Sequence, residues 1–473
     1  MQAVMHRLLT LLLMAAALNG QDVDARIARV EKGLRLGIVI AGEHPARYEL
    51  AARMKQYHVP AVSVAVVNEG LLEWARAWGV LAAGEDKPAT AHTLFQAASI
   101  SKPVAAMAIL RLVQEGKLSL DEDVNARLTN WKLPDNEFTK AEKVTLRRLL
   151  SHTAGLTVHG FPGYEAGTAV PTLPQILDGV KPANTAAIRV TAVPGSAYSY
   201  SGGGYTLAQF LVTGVTGVPF PDFMQRTVLA PLGMSRSTFQ QPLPEARQAE
   251  ASAGHSDQGA MVKGRWHVYP EMAAAGLWTT PSDLARVILA VQRPGKVLTA
   301  ETTTLMTTAV KEQYGLGFSV GGKGAGATFS HGGGNEGFRC LLFGYLTRGQ
   351  GAVVMTNGDS GGALATEILR AIAAEYGWPD YKQVEKKVAQ VEVTTLRRYE
   401  GKYRFPDGPP ASVQVFDGKL VVKPPGGRAV DLLPSSDTEF FSRDSLLPDI
   451  RFVKTPDGLF DLEMSGRIAR RER

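Results

Sequence analysis

Hydrophobic and polar positions divide the chain into segments of contrasting kind. Residues 8–18 (LLTLLLMAAAL) are a short apolar run behind Arg7, and residues 24–57 read as helical with a polar face. The segment VPAVSVAVVNEG at 59–70 is almost continuously apolar and rich in valine, which predicts a buried strand ending in a turn; LLEWARAWGVL at 71–81 predicts its partner. A buried helix is predicted from near Ser99 to about Glu115, carrying Val104, Met107, Ala108, Leu110, Leu112 and Val113, with Gly116 as its stop. Pro103 falls in its first turn, where the missing N–H would have had no intrahelical partner.

Residues 155–204 are rich in Gly, Pro and Thr and predict a long loop of the kind that walls a site. TTPSDLARVILAVQ (279–292) predicts a helix with Pro281 in its first turn, FRCLLFGYL (338–346) and GAVVMTNG (351–358) an antiparallel hairpin, and GALATEILRAIAAEYG (362–377) an amphipathic helix. The charged stretch at 378–395 reads as a connector. Beyond it, short alternating stretches are punctuated by Asp417-Gly418, Gly426-Gly427 and Asp457-Gly458, the pattern of a small all-β, barrel-like domain. The expected organisation is a signal peptide at 1–20, a main domain at 21–380, a linker at 381–393 and a β domain at 394–473.

Length and composition fit this division. A chain of 473 residues exceeds what one core usually fills, and 45% hydrophobic with 20% charged residues is ordinary for a globular protein. The net charge of +6 is slight, and no basic run is interleaved with aromatics, so a nucleic-acid partner is not expected. The run at 8–18 has the length and flanks of a secretory signal and is too short for a bilayer span, which points to a secreted or periplasmic protein with no stable membrane anchor. The single cysteine, Cys340, allows no internal disulfide and reads as a buried structural thiol within a strand. The nine histidines show neither H-x-x-x-H nor H-E-x-x-H spacing, and no glycine-rich phosphate loop precedes a helix, so neither a metal nor a cofactor is expected.

The chemistry is carried by Ser99-Ile100-Ser101-Lys102. Positions i and i+3 of a helix share a face, so the Lys102 amine reaches the Ser99 hydroxyl. A helix N-terminus favours a developing anion, and a desolvated lysine has a lowered pKa and acts as a base. Ser101 has no lysine at that offset.

Three further segments follow in order: LLSHTAGL (149–156), PGSAYSYSGGGY (194–205) and FSHGGGNEGF (329–338). Together with FQAASISK they resemble the landmarks of the β-lactamase-related serine hydrolases, which include class C β-lactamases, D-alanyl-D-alanine carboxypeptidases, D-aminopeptidases and β-lactamase-like esterases. The resemblance covers roughly residues 45–377. It implies a two-domain α/β protein of α+β type: an antiparallel sheet flanked by helices plus a helical subdomain. The C-terminal β domain is similar to lipocalin-like appendages of some relatives. It implies Ser99 as nucleophile, Lys102 as its activator, Tyr200 as a second acid/base and His331 in the place of the strand lysine. Gly332 and Gly333 would let substrate lie flat against that strand, and the amides of Ser99 and Gly334 would form an oxyanion hole. Gly202 stands where many relatives carry an asparagine that contacts a substrate amide. With histidine in place of lysine, the resemblance implies activity that depends on pH at about 6–8.

Other residues read as structural: His152 and one of Tyr198 and Tyr205; Arg339 reads first as a surface salt bridge and otherwise as a group that binds a substrate carboxylate. His159 and Tyr164 read equally as pocket wall and as loop packing. Gly317-Phe318-Ser319-Val320-Gly321 fits G-x-S-x-G, but the glycine-rich GGKGAGATF that follows cannot form the helix such an elbow requires. The expected function is hydrolysis of an amide, ester or β-lactam carbonyl, in a small-molecule or peptide substrate, through a Ser99 acyl-enzyme. The alternatives are a penicillin-recognising receptor that acylates without useful turnover, and a non-catalytic scaffold. Oligomeric state is left open.

Overall fold

The computed structural model describes residues 22–405, 409–424, 429–443 and 447–472. The proposed signal segment and the Gly426-Gly427 turn lie outside these residues. The chain forms two compact units, one of residues Ala51–Thr366 and one of the residues up to Leu50 with those from Glu367 onward. No described helix is long and apolar enough to cross a membrane.

The larger unit is built on a six-stranded sheet. Its strands are β1 (Ala61–Asn68), β2 (Leu71–Gly79), β3 (Ser319–Gly321), β4 (Thr328–Asn335), β5 (Phe338–Tyr345) and β6 (Gly351–Thr356), in the order β2-β1-β6-β5-β4-β3. All pairings are antiparallel, as the mixed α+β class requires. Two adjacent interior strands are the most buried: every residue of β6, and all but Asn68 of β1, is buried. The expected hairpins 59–81 and 338–358 both form.

Three helices matter for the site. Helix α1 (Ser101–Gln114) buries eleven of its fourteen residues, so its all-round apolar sequence reflects a helix enclosed by the core. A 3₁₀ turn, Ala98–Ile100, leads into it. Helix α2 (Gly202–Thr216) starts at Ser201, whose hydroxyl accepts from the Gly204 amide at 3.0 Å, and stops at left-handed Gly217. Helix α3 (Pro281–Gln292) is capped by Thr280 and contacts the central strands. The helix expected at 362–377 runs Gly361–Glu375.

The sequence reading misplaces two segments. Residues 24–57 are not one helix: helix covers 22–31 and Leu50–Gln56, with the strand Ile38–Ile40 between them. Gly33, Gly37 and Gly42 explain the break, since glycine is the least favourable interior residue after proline. Residues 381–393, expected as a linker, contain the strand Val384–Lys386, which pairs in parallel with Ile38–Ile40.

The smaller unit ends in a closed barrel of eight antiparallel strands, β7 (Gly401–Arg404), β8 (Ala411–Phe416), β9 (Lys419–Lys423), β10 (Val430–Pro434), β11 (Glu439–Phe441), β12 (Ile450–Lys454), β13 (Phe460–Met464) and β14 (Arg467–Arg471). Closure is made by Tyr403 opposite Arg471 and Arg404 opposite Arg470. Asp417 and Gly418 both have positive φ (47° and 72°), the conformation a two-residue hairpin turn demands. Tyr399 stacks on Phe452 inside the barrel at 4.1 Å.

Candidate active site

Ser99 lies in the 3₁₀ turn and is half-buried. Ala98 before it has φ +48°, unusual for a residue with a Cβ. Lys102 is 2% exposed, and its Nζ donates to Ser99 Oγ at 3.0 Å and to the Ala274 carbonyl at 2.8 Å. Burial pushes the Lys102 amine down to about 7, which leaves a large fraction of it neutral at ordinary pH. Ser101, the rival serine, is buried and its Oγ accepts from the Leu277 amide at 3.0 Å; it holds the chain rather than facing the site.

Tyr200 approaches from the start of α2. Its hydroxyl faces Ser99, which works against the burial of the phenol, and Lys102 Nζ lies 5.0 Å from its ring centroid. Burial pushes the phenol up to about 12, so it stays protonated. Its neighbours divide the labour. The Tyr205 hydroxyl donates to the Leu150 carbonyl at 2.9 Å and is packing. His152 is buried, accepts from the Ser201 amide at 3.1 Å through Nδ1, and sets its ring 4.2 Å from that of Tyr200. It props the tyrosine from behind.

Strand β4 closes the other side. A Cβ on Gly333 would lie 2.2 Å from the Ala97 carbonyl oxygen, so only glycine allows this strand to back onto the turn that bears Ser99. At Gly332 the nearest atom would be 3.9 Å away, and at Gly334 only the flexible Arg339 side chain is near. Strand β3 pairs with residues 328–330 only, so among the described residues no strand covers the edge of residues 331–335 opposite β5. At Gly202 an added Cβ would meet the Phe161 ring at 3.0 Å, so the loop at 155–164 fills the space beside this position.

His331 differs from the sequence expectation. Its Nδ1 faces the Gly332 carbonyl at 2.6 Å, and its Nε2 faces the Tyr314 hydroxyl at 3.1 Å. A carbonyl only accepts, so Nδ1 carries the hydrogen and Nε2 receives the phenol O–H. Burial, with the Lys102 charge second, pushes His331 down to about 3. It is a neutral imidazole and does not titrate near pH 7. Tyr314, fully buried beside His152 at 4.8 Å, is the group sequence reasoning missed. Nothing in the neighbouring sequence marks it beyond its aromatic character.

The remaining candidates are structural. Arg339 pairs with Asp359 at 2.8 Å. The Cys340 thiol is buried and pushed up to about 12. Tyr164 turns toward Glu271, while the His159 ring lies 4.9 Å from that of Tyr200. Ser319 begins β3, which is followed by a single 3₁₀ turn, Gly324–Gly326, and not by the helix an elbow requires.

A serine beside a neutral lysine and a protonated phenol, on a sheet flanked by helices, defines the class: a serine hydrolase. The chain belongs to the Beta-lactamase family, whose model matches residues 47–376. Penicillin-binding protein 4* of Bacillus subtilis (strain 168) is 23% identical over 418 residues, covering 84% of this chain and 90% of that protein. Esterase EstB of Burkholderia gladioli is 28% identical over 321 residues, covering 61% and 78%. Among solved structures, the octameric penicillin-binding protein homologue from Pyrococcus abyssi superposes with a TM-score of 0.60 at 23% identity, covering 89% of this chain and 98% of that one.

Proposed function

We propose that Ser99 is the nucleophile of a two-step hydrolysis of an amide, ester or β-lactam carbonyl. Lys102 takes the Ser99 proton as Oγ attacks the carbonyl carbon. The Tyr200 phenol gives its proton to the leaving group and recovers one from the Lys102 ammonium, leaving an ester at Ser99. Lys102 then takes a proton from water as the oxygen attacks the ester carbonyl, and the ammonium returns it to Oγ as the acid leaves. The amides of Ser99 and Gly334 serve as oxyanion donors, each worth about 10²–10³ in rate. Gly332 and Gly333 offer substrate an open strand edge.

The observation that carries this reading is the 3.0 Å contact between a desolvated lysine and a hydroxyl that also meets Tyr200. The relatives named as penicillin-binding protein and esterase support the same chemistry. The apolar run at 8–18 supports export from the cytoplasm. The test is mass spectrometry after brief exposure to a β-lactam and to an activated ester. An acyl adduct from at least one of the two reagents is expected on the peptide bearing Ser99, decaying as product accumulates, and absent in Ser99→Ala. Hydrolysis that survives Ser99→Ala would end the proposal; an adduct that persists without turnover would favour a receptor.

A further inference from the structure

We propose, building on the Ser99 reading, that this site selects neutral acyl substrates: esters or amides with no free carboxylate near the scissile carbonyl. An anionic substrate entering a half-buried cleft loses water and needs a cation to replace it. On the segments that build the site, the basic side chains are Lys102, His152, His159, His331 and Arg339, with Lys311 close in sequence to Tyr314. The two that face the nucleophile most directly are already committed. Lys102 points its amine at Ser99 and the Ala274 carbonyl. His331, on the strand facing the nucleophile, is wedged between a carbonyl and a phenol that occupy both ring nitrogens.

The others are held less completely: His152 Nε2 has no hydrogen-bond partner among the described residues, and His159 is exposed. His152 spends Nδ1 on the Ser201 amide, and burial, with the Lys102 charge second, keeps it neutral. His159 is likewise held below its ordinary pKa, by burial first and Lys102 second. Arg339 is paired with Asp359 and donates to the Phe338 carbonyl at 2.8 Å. Lys311 donates to the carbonyls of Gly195 and Ser196. Around this cation-poor centre stand the rings of Tyr198, Tyr200, Tyr314 and His159. Aromatic faces and a neutral imidazole suit an uncharged ester or amide.

The experiment compares matched substrates in the full-length protein. On the acyl side these are 4-nitrophenyl hydrogen succinate and 4-nitrophenyl methyl succinate. On the leaving-group side they are m-carboxyphenyl acetate and m-carbamoylphenyl acetate. The neutral member of each pair is expected to have a kcat/KM about tenfold or more above its anionic partner. A ratio of one or below in both pairs overturns the inference. Ser99→Ala separates the layers: loss of all four activities upholds the nucleophile whatever the ratio, and retention sinks the underlying reading. In a His331→Lys protein that still turns over the neutral esters, the ratio narrows; an unchanged ratio there removes His331 from the explanation.

Discussion

The Ala274 carbonyl stands 2.8 Å from Lys102 Nζ, on the four-residue helix Met272–Ala275 that contacts α1. That oxygen, the Ser99 hydroxyl and a dry surround fix both the direction and the basicity of the amine. With the amine pushed down to about 7, its free-base fraction falls about tenfold per pH unit below that value and saturates above it. We therefore expect kcat/KM to rise with pH to a midpoint near 7 and then stay level, because Tyr200 remains protonated up to about 12. Rates from pH 5 to 10 check this. A midpoint that moves in His331→Gln would transfer the titration to the histidine.

Tyr314→Phe removes the O–H that fills His331 Nε2. A buried acceptor left without its donor costs about 1–3 kcal/mol. We expect a lower melting temperature and a ¹⁵N spectrum in which the His331 tautomers mix, with its pKa rising toward the ordinary imidazole range. A spectrum identical to that of the parent protein would show that the phenol does not set the tautomer.

Gly332 and Gly333 are adjacent and should respond oppositely. An alanine methyl at 333 meets main chain at 2.2 Å and must push β4 away from Ala97, whereas at 332 nothing lies closer than 3.9 Å. Thermal unfolding should place Gly333→Ala several degrees below the parent and Gly332→Ala within a degree or two of it. Misplacing a strand by about 1 Å from a nucleophile costs about 10² in rate, so Gly333→Ala should also lose activity to that extent.

Glu271 supplies a pH test of stability. It is fully buried, neither carboxyl oxygen has a partner at hydrogen-bonding distance, and burial pushes its pKa up to about 8. The native state holds this proton more tightly than the unfolded chain. Stability from this group is therefore complete below the ordinary carboxyl pKa and is lost as pH rises toward 8. Lys102, lowered in the native state, acts in the opposite sense at higher pH, between about 7 and its ordinary value. Glu271→Gln should remove the first trend alone. Its advantage over the parent should grow between pH 5 and 9 by on the order of 2–4 kcal/mol, read by denaturant unfolding. A pH-independent difference would contradict this.

What could be read in the sequence was what depends on near neighbours. The three-residue offset of Ser99 and Lys102 is converted by helical geometry into a contact, and the Asp417-Gly418 pair into a hairpin. The nearly continuous apolar runs of β1 and β6 announced buried strands. What could not be read depends on distant chain segments brought together by packing. The hydrogen that His331 Nε2 accepts comes from Tyr314, seventeen residues earlier and on no shared element. The requirement for glycine at 333 comes from a carbonyl at residue 97. Glu271 looked like any surface acid until burial isolated it.

The barrel's circular pairing has a consequence for truncated forms of the chain. Because β14 joins β7 to β13, each strand of the ring hydrogen-bonds on both sides and none is left as a template for another molecule. Excising Arg467–Arg471 would bare two unsatisfied ladders at once, those of β7 and β13. The shortened chain would be prone to stick to its own copies through those raw margins, an aggregation hazard separate from any loss of catalysis.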